Sequence, residues 1–368
     1  MPVGMLLMQW DPKVGTDILK KYPEELIISD ETLMQIYAAH EYSGEPGMIS
    51  LLVGHLNLAS FYTGRDKSLY IVLVLHLDDD SDSYEGGLSD ISRIILQNYD
   101  DENYLDMIPS LFQRLSAYPK LNNEQILAIT YQDEVNRLII KMLREEGVIS
   151  KSELKIWLKD KYRKGFFDID ATLNELIRKE IIKEASVKGM PSELLFFIND
   201  IFILRRPPVE ILKNPEEKGL PENLVEEYQT IVRKWFENYQ IKEEDNLNLL
   251  EIVTDPQIYE VLRLLRIAVL TKSALMKLKK KGVEDVDDCL KKLWEANITH
   301  VFQDNQGNEY YALLADPLLF LAHPKYMLKE ILHHYDVKSK SESVLIEYLK
   351  VLDDSYHSAK IDIKDKKE

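Results

Sequence analysis

"MQWDPKVGTDILKKYP" (8–23) is the stretch whose reading decides the fold. An apolar arm, 3–10, runs into "DPKVG" (11–15), and a second arm returns over 16–23. Pro presets φ and Gly supplies angles that other residues avoid, so the middle is turn chemistry and the arms form a β-hairpin. Working outward, Ser29 or Asp30 caps a helix over 31–40 that carries Leu33, Ile36 and Tyr37 on one face. "SGEPG" (43–47) breaks the chain, and strands follow at 48–54, 58–64 and 69–77, the last two joined by a turn at 64–67. A polar loop is expected at 78–87. Helices are expected at 88–98 and 102–118, the second bent at Pro109.

The resulting order, β-β-α-β-β-β-α-α with a helix crossing between strands two and three, resembles the longin or profilin-like topology. The quoted hairpin is also similar to the first hairpin of longin and roadblock domains. The resemblance covers residues 1–120. It implies an interaction platform whose sheet edge, first helix and neighbouring groove bind small GTPases, other longin or roadblock-type domains, or peptide segments. No catalytic arginine finger is carried over: Arg65 and Arg93 are the arginines of the first hundred residues, and no motif marks either.

Residues 121–208 read as a first winged helix. Its helix one spans 132–147 and ends at Gly147, "SKSE" (150–153) is a capping box opening helix two, and helix three spans 168–182, burying Ile169, Leu173, Leu176 and Ile177. Strand and wing follow, to the prolines at 207–208. A helical connector, 209–255, leads to a second winged helix at 256–335. There, helices at 256–268, 271–282 and 284–297 precede a hairpin wing at 298–314, with "NQG" as its turn. Further helices are expected at 317–334 and 343–356, and the end of segment 336–368 is a charged, disordered tail. The expected class is therefore α+β and multidomain: a five-stranded antiparallel longin-like sheet with helices, then two winged helices. The combination resembles archaeal longin–winged-helix proteins and subunits of GTPase-regulating complexes.

Charge bears on partners. The formal net charge of the 368 residues is −17; residues 1–120 hold 8 basic and 19 acidic groups, 121–210 hold 15 and 15, and 211–368 hold 23 and 29. No region is basic, which argues against a general polyanion binder. The single cysteine, Cys289, excludes a disulfide framework and a cysteine-based zinc site, and suits a cytoplasmic setting. Apolar runs such as 68–77 are strand-length, so no transmembrane segment is expected, and the start lacks the basic region of a signal peptide.

The second helix three opens with Glu284, Asp285, Asp287 and Asp288. In a DNA-bound winged helix this half faces the major groove, where carboxylates meet phosphates and guanine acceptors. Carboxylates also stabilise a helix N-terminus, and they could form an acidic docking face for a basic protein patch. Asp168, Asp170 and Glu175 repeat the pattern in the first helix three. Against this stand basic runs. Lys161, Arg163 and Lys164 precede that first helix three, Arg205 and Arg206 end the first wing, and Lys277, Lys279, Lys280 and Lys281 lie beside the second. These are the candidate phosphate contacts of the alternative reading.

Phosphate-loop, dinucleotide-binding, nucleophile-elbow and zinc-protease signatures are missing, so no catalytic, metal or cofactor residue is assigned. The acidic run 78–85 lacks EF-hand spacing, and the adjacent His333 and His334 point about 100° apart on a helix. His55 and His76 read as sheet residues, and Cys289 as a buried thiol. The 20 tyrosines, five of them between 37 and 84, suit packing or an interface. The expectation is a non-enzymatic adaptor with protein partners, and the alternative is a winged-helix transcription regulator that binds DNA.

Overall fold

The computed structural model describes every residue except 1, 12, 14, 45, 66, 100–102, 162–168, 282 and 366–368. The chain is α+β and divides into two compact units. The first comprises Met1–Leu121 with Ile149–Leu195, and the second Asn122–Val148 with Phe196–Glu368.

The first unit is built on a five-stranded antiparallel sheet in the order β2-β1-β5-β4-β3. Strands β1 (Gly4–Asp11) and β2 (Gly15–Tyr22) form the expected hairpin, in register from Met5 opposite Tyr22 to Asp11 opposite Gly15. Gly15 has φ 94°, an angle at which a side chain is strained. Helix α1 (Asp30–Ser43) crosses to β3 (Gly47–Val53); the Ser29 hydroxyl accepts from the Thr32 N–H and caps it. Strands β4 (Leu56–Tyr62) and β5 (Leu69–Leu75) complete the sheet.

β5 is buried throughout because both sheet faces are covered. Its side chains alternate between two cores. Leu69, Ile71, Leu73 and Leu75 join Leu88, Ile91, Ile95, Ile108, Leu111 and Leu115, from the helices α2 (Glu85–Gln97) and α3 (Ile108–Ala117). Tyr70, Val72 and Val74 join Leu33 and Ile36 of α1.

Two details differ from the sequence reading. The loop over 78–87 is shorter, because α2 starts at Glu85 and takes in Gly86 and Gly87. A Cβ at Gly86 would sit 2.5 Å from the Tyr118 hydroxyl, so the glycines permit a close approach. Pro109 does not bend a helix; it lies in the first turn of α3, where its missing N–H costs nothing.

The chain then passes through α4 (Asn123–Gln132) and α5 (Glu134–Glu146) of the second unit. It returns by β6 (Val148–Ser150) to α6 (Lys151–Lys161), α7 (Ile169–Arg178) and β7 (Ile182–Ala185). β8 (Leu194–Phe197) leads out again, and β6-β8-β7 is the strand order of a small sheet. Ser150 and Glu153 form the expected capping box at α6: each side chain accepts from the other's N–H. Ile169, Leu173 and Leu176 are buried as expected, while Ile177 is half-buried.

Glu175 of α7, expected among solvated carboxylates, is instead buried in the first unit, 2.5 Å from Arg93 of α2 and paired also with Lys179. Burial opposes its charge; the Arg93 and Lys179 cations overcome this and hold the carboxyl below its ordinary range. Arg178 pairs with Glu85 at 2.6 Å on the same two helices. Removing one partner of such a pair strands the other charge. Glu175→Leu is therefore expected to lower the unfolding free energy by about 3–5 kcal/mol in urea titrations. The double variant Arg93→Met/Glu175→Leu is expected to regain most of that loss; if it is no better than Glu175→Leu alone, the pair is not what holds α7.

In the second unit, β9 (Asp200–Arg206) pairs with β13 (Asp316–Ala322), from Asp316 opposite Arg206 to Ala322 opposite Asp200. This strand occupies the start of the helix expected at 317–334, because Pro317–Ala322 finds an open edge on β9. Between them lie α8 (Val209–Lys213), α9 (Val225–Asn238), α10 (Glu243–Thr254) and α11 (Pro256–Leu265). There follow β10 (Leu270–Thr271), α12 (Lys272–Leu275), α13 (Val286–Glu295), β11 (Thr299–Gln303) and β12 (Glu309–Leu313). The expected three helices and hairpin are present, except that the second helix is one α-turn followed by a 3-10 segment, Met276–Lys281. α4 and α10, which the sequence reading passed over, pack on each other, and α4 also packs on β13. Finally come α14 (Tyr326–Asp336) and α15 (Glu342–Asp365); the expected disordered tail is helical as far as Asp365.

Candidate interaction surfaces

Helix α1 buries one apolar face and carries two large apolar side chains on an otherwise mostly polar outer side. Leu33, Ile36 and His40 point into the first unit, while Met34 and Tyr42, eight residues apart on the other side, are exposed. Tyr42 is 95% exposed, and Ile27 just before the helix 89%. Beneath α1 lies an aromatic layer. Trp10 and Tyr37 stack with centroids 3.7 Å apart, Tyr37 meets Tyr70 edge-on, and Tyr70 stacks on Tyr62 at 4.7 Å. The layer fixes α1 on the sheet and leaves its outer side unpartnered. At the far edge of the sheet, Leu52 of β3 is 70% exposed.

Three of the four carboxylates at α13 have local partners. Asp285 caps the helix, accepting from the Asp288 N–H at 3.0 Å. Asp287 pairs with Lys272 at 2.9 Å and Asp288 with Lys292 at 2.8 Å. Glu284 is exposed, and its N–H donates to Gln257. Capping thus occupies Asp285 and ion pairs occupy Asp287 and Asp288, while no side-chain partner is seen for Glu284 among the described residues. At α7, Asp170 is paired with Lys151 and Lys155. Asp168 lies outside the described residues.

The candidate cations separate into two groups. Arg205 is an internal residue: its side chain is 2% exposed and paired with Asp245 at 2.6 Å. That corrects its expected place on a phosphate-contacting wing. Arg206 is half-exposed and paired with Asp316 at 2.7 Å, so its charge is already answered. Lys277, Lys279 and Lys280 are exposed on the 3-10 segment, and none pairs with a carboxylate among the described residues. Lys161 is exposed at the end of α6. Arg163 and Lys164 lie outside the described residues, as does the side chain of Lys281.

Among the described residues, no group of three or more His, Cys, Asp or Glu side chains could hold a metal ion. His323 bonds the Ile198 carbonyl and His334 the Ser339 hydroxyl. In the acidic run, Asp80 caps a 3-10 turn and Asp79 accepts from the His76 N–H. Cys289 is buried, and burial with nearby Asp255 pushes its thiol up to about 11, which disfavours the reactive thiolate. Among the described residues, no helix is long and apolar enough to cross a membrane.

Two measurements follow from this geometry. Asp285→Ala is expected to cost about 1 kcal/mol through the lost cap, while Glu284→Ala stays within roughly 0.5 kcal/mol of wild type; thermal melts compare them. His40 sits beneath α1, 1% exposed, with Nε2 bonded to the Ser60 hydroxyl at 2.9 Å. Burial lowers its imidazole to about 4. The unfolded chain takes up a proton near pH 6.5, so the stability this group contributes is full above that value and falls as pH drops toward 4, by roughly 3 kcal/mol in all. His40→Gln should flatten that part of the stability–pH profile; an unchanged slope would assign the acid sensitivity to other groups. In comparisons with protein-family models, curated proteins and solved structures, nothing matches this chain.

Proposed function

We propose that the chain is a protein-interaction scaffold or adaptor. In this reading the first unit is a longin-like platform, and the segments around α5–α7 and α11–β12 are winged-helix elements that serve protein contact. The partner is a small GTPase or a second longin or roadblock-type domain, as in trafficking-type machinery of the cytoplasm. One observation carries the reading: Met34 and Tyr42 on the outward side of α1, and Ile27 before it, are large exposed apolar side chains on a helix held against the sheet. Exposed apolar side chains of this kind are where a protein partner can bury area. The net charge of −17 and the internal pairing of Arg205 and Arg206 support protein partners over nucleic acid.

A second reading, a winged-helix transcription regulator, is favoured by the exposed lysines 277, 279 and 280. In that case helix two would touch phosphates while the carboxylates of α13 stay clear of the groove.

Affinity capture from nuclease-treated native lysate, with the full chain as bait and its captured proteins identified by mass spectrometry, compares the two. The expected result is a small GTPase or longin-type protein whose recovery falls at least about tenfold with Met34→Glu/Tyr42→Glu, the loss of roughly 1.4 kcal/mol or more of binding. The thermal midpoint should be unchanged, because both side chains are exposed. Recovery that tracks DNA and falls with Lys277→Glu/Lys280→Glu instead would replace the scaffold reading by the regulator.

A further inference from the structure

Three arginines of the second unit are clamped by carboxylates and aromatic rings, and they differ in how many of their five N–H donors are used. Arg266 uses all five: Nε on Asp316, Nη1 on Glu124 and Tyr259, Nη2 on Glu124 and the Pro317 carbonyl. Arg144 uses four, on Asp200, Tyr131 and the Ile201 carbonyl. Arg205 uses three. Its Nε and Nη2 donate to Asp245 at 2.9 and 2.6 Å, and Nη1 donates to the Asn297 carbonyl at 3.3 Å. Yet Arg205 is the most buried of the three, at 2% against 20% for Arg266 and 32% for Arg144. Each of its three nitrogens nevertheless has a partner, which fixes the guanidinium in place.

Arg205 lines a cleft of about 730 Å³ beside α9. Small-molecule sites span roughly 300–1,000 Å³. On the cleft wall Trp235 and Tyr239 stack, with centroids 4.7 Å apart and planes within 17°. The Arg205 guanidinium lies 5.6 Å from the Trp235 ring, and the Tyr239 hydroxyl donates to Asp245 at 2.8 Å, which locks both ring and carboxylate. Lys234 and Lys242 are exposed lining residues and pair with no carboxylate among the described residues. Of the ionised lining groups, three are cationic and one, Asp245, is anionic and already taken by Arg205. The cleft is therefore locally positive in a chain of net charge −17.

We propose that this cleft binds a nucleoside monophosphate unit, with its base on the half-buried Trp235–Tyr239 stack and its phosphate met by the lining lysines Lys234 and Lys242. A half-buried aromatic face suits a flat heterocycle and two exposed lysines suit a dianion, while Arg205, buried and paired with Asp245, holds the stack in place. None of this rests on the scaffold reading, since α1 takes no part.

The test titrates the full chain with AMP at low salt, followed by tryptophan fluorescence and calorimetry, with adenosine, inorganic phosphate and a short single-stranded oligoadenylate in parallel. Saturable AMP binding is expected, with adenosine and phosphate each weaker. Trp235→Phe should abolish the fluorescence change and keep the calorimetric signal. Lys234→Glu/Lys242→Glu should weaken AMP by about tenfold or more, and added salt should weaken it too. Oligoadenylate that displaces AMP at lower concentration identifies the unit as part of a single strand; AMP binding alone identifies a free nucleotide. The proposal is overturned if neither AMP nor oligoadenylate binds saturably at millimolar concentration, or if binding ignores both the lysine reversals and Trp235→Ala in variants with wild-type circular dichroism.

Discussion

Arg266 is the residue on which the second unit converges. Its side chain joins Glu124 at the start of α4, Tyr259 of α11, and Asp316 with the Pro317 carbonyl at the start of β13. Those segments lie up to 142 positions from it in the chain. Asp316 also takes Arg206, and the Leu319 N–H donates to Glu124, so the network fixes where β13 begins and hence its register on β9. Glu124, Asp316 and Arg266 are largely buried and would each be costly alone. Their mutual pairing, with every Arg266 donor used, makes the arrangement tolerable and specifies one placement of α4.

The first unit solves a similar problem with fewer charges. Its sheet is covered on both faces, so β5 can be a continuous apolar strand whose alternate residues serve different cores. Its buried polar groups include His40 on Ser60 beneath α1, Asp90 with Arg114, and Arg93 with Glu175 where α7 meets α2. The last of these places one carboxylate of an acidic helix inside the unit. Glu175 is turned inward to a guanidinium, and Asp170 is held by two lysines of α6.

The first unit was largely legible because its signals are local. A Pro–Gly turn, a Ser cap and period-two apolar alternation act within a few residues, and β1 to β5 fall within a few positions of the expected ranges. The second helix three and its hairpin were legible for the same reason. What stayed hidden is non-local. "DPLLFLA" (316–322) reads as readily as helix until β9 offers it an edge. α4 carries a capping box, Asn122 with Gln125, that the reading overlooked, but its burial depends on α10 and β13. Arg205 resembled a wing cation because its partner Asp245 lies forty residues on, in a connector with no strong pattern. The exposed apolar side chains of α1 were legible in principle: Met34 and Tyr42 fall off the Leu33–Ile36 stripe, among Glu31, Gln35 and Glu41.

The division of labour between the two cations sharpens the question of partners. Arg93, Arg144, Arg205 and Arg266 are held by carboxylates within their units, and Arg178 and Arg206 are paired at the surface. The exposed basic run of the described residues is lysine: 277, 279 and 280. Guanine edges are read by the planar fork of arginine or by a well-placed lysine, whereas a flexible lysine run acts as point charges on phosphate. Contact made by that run would therefore be electrostatic, sensitive to salt and indifferent to sequence. Such contact suits a regulator poorly, since a regulator must discriminate among sites. An exposed tyrosine and methionine on a rigid helix suit discrimination better, because apolar shape complementarity distinguishes one protein surface from another where dispersed charge does not.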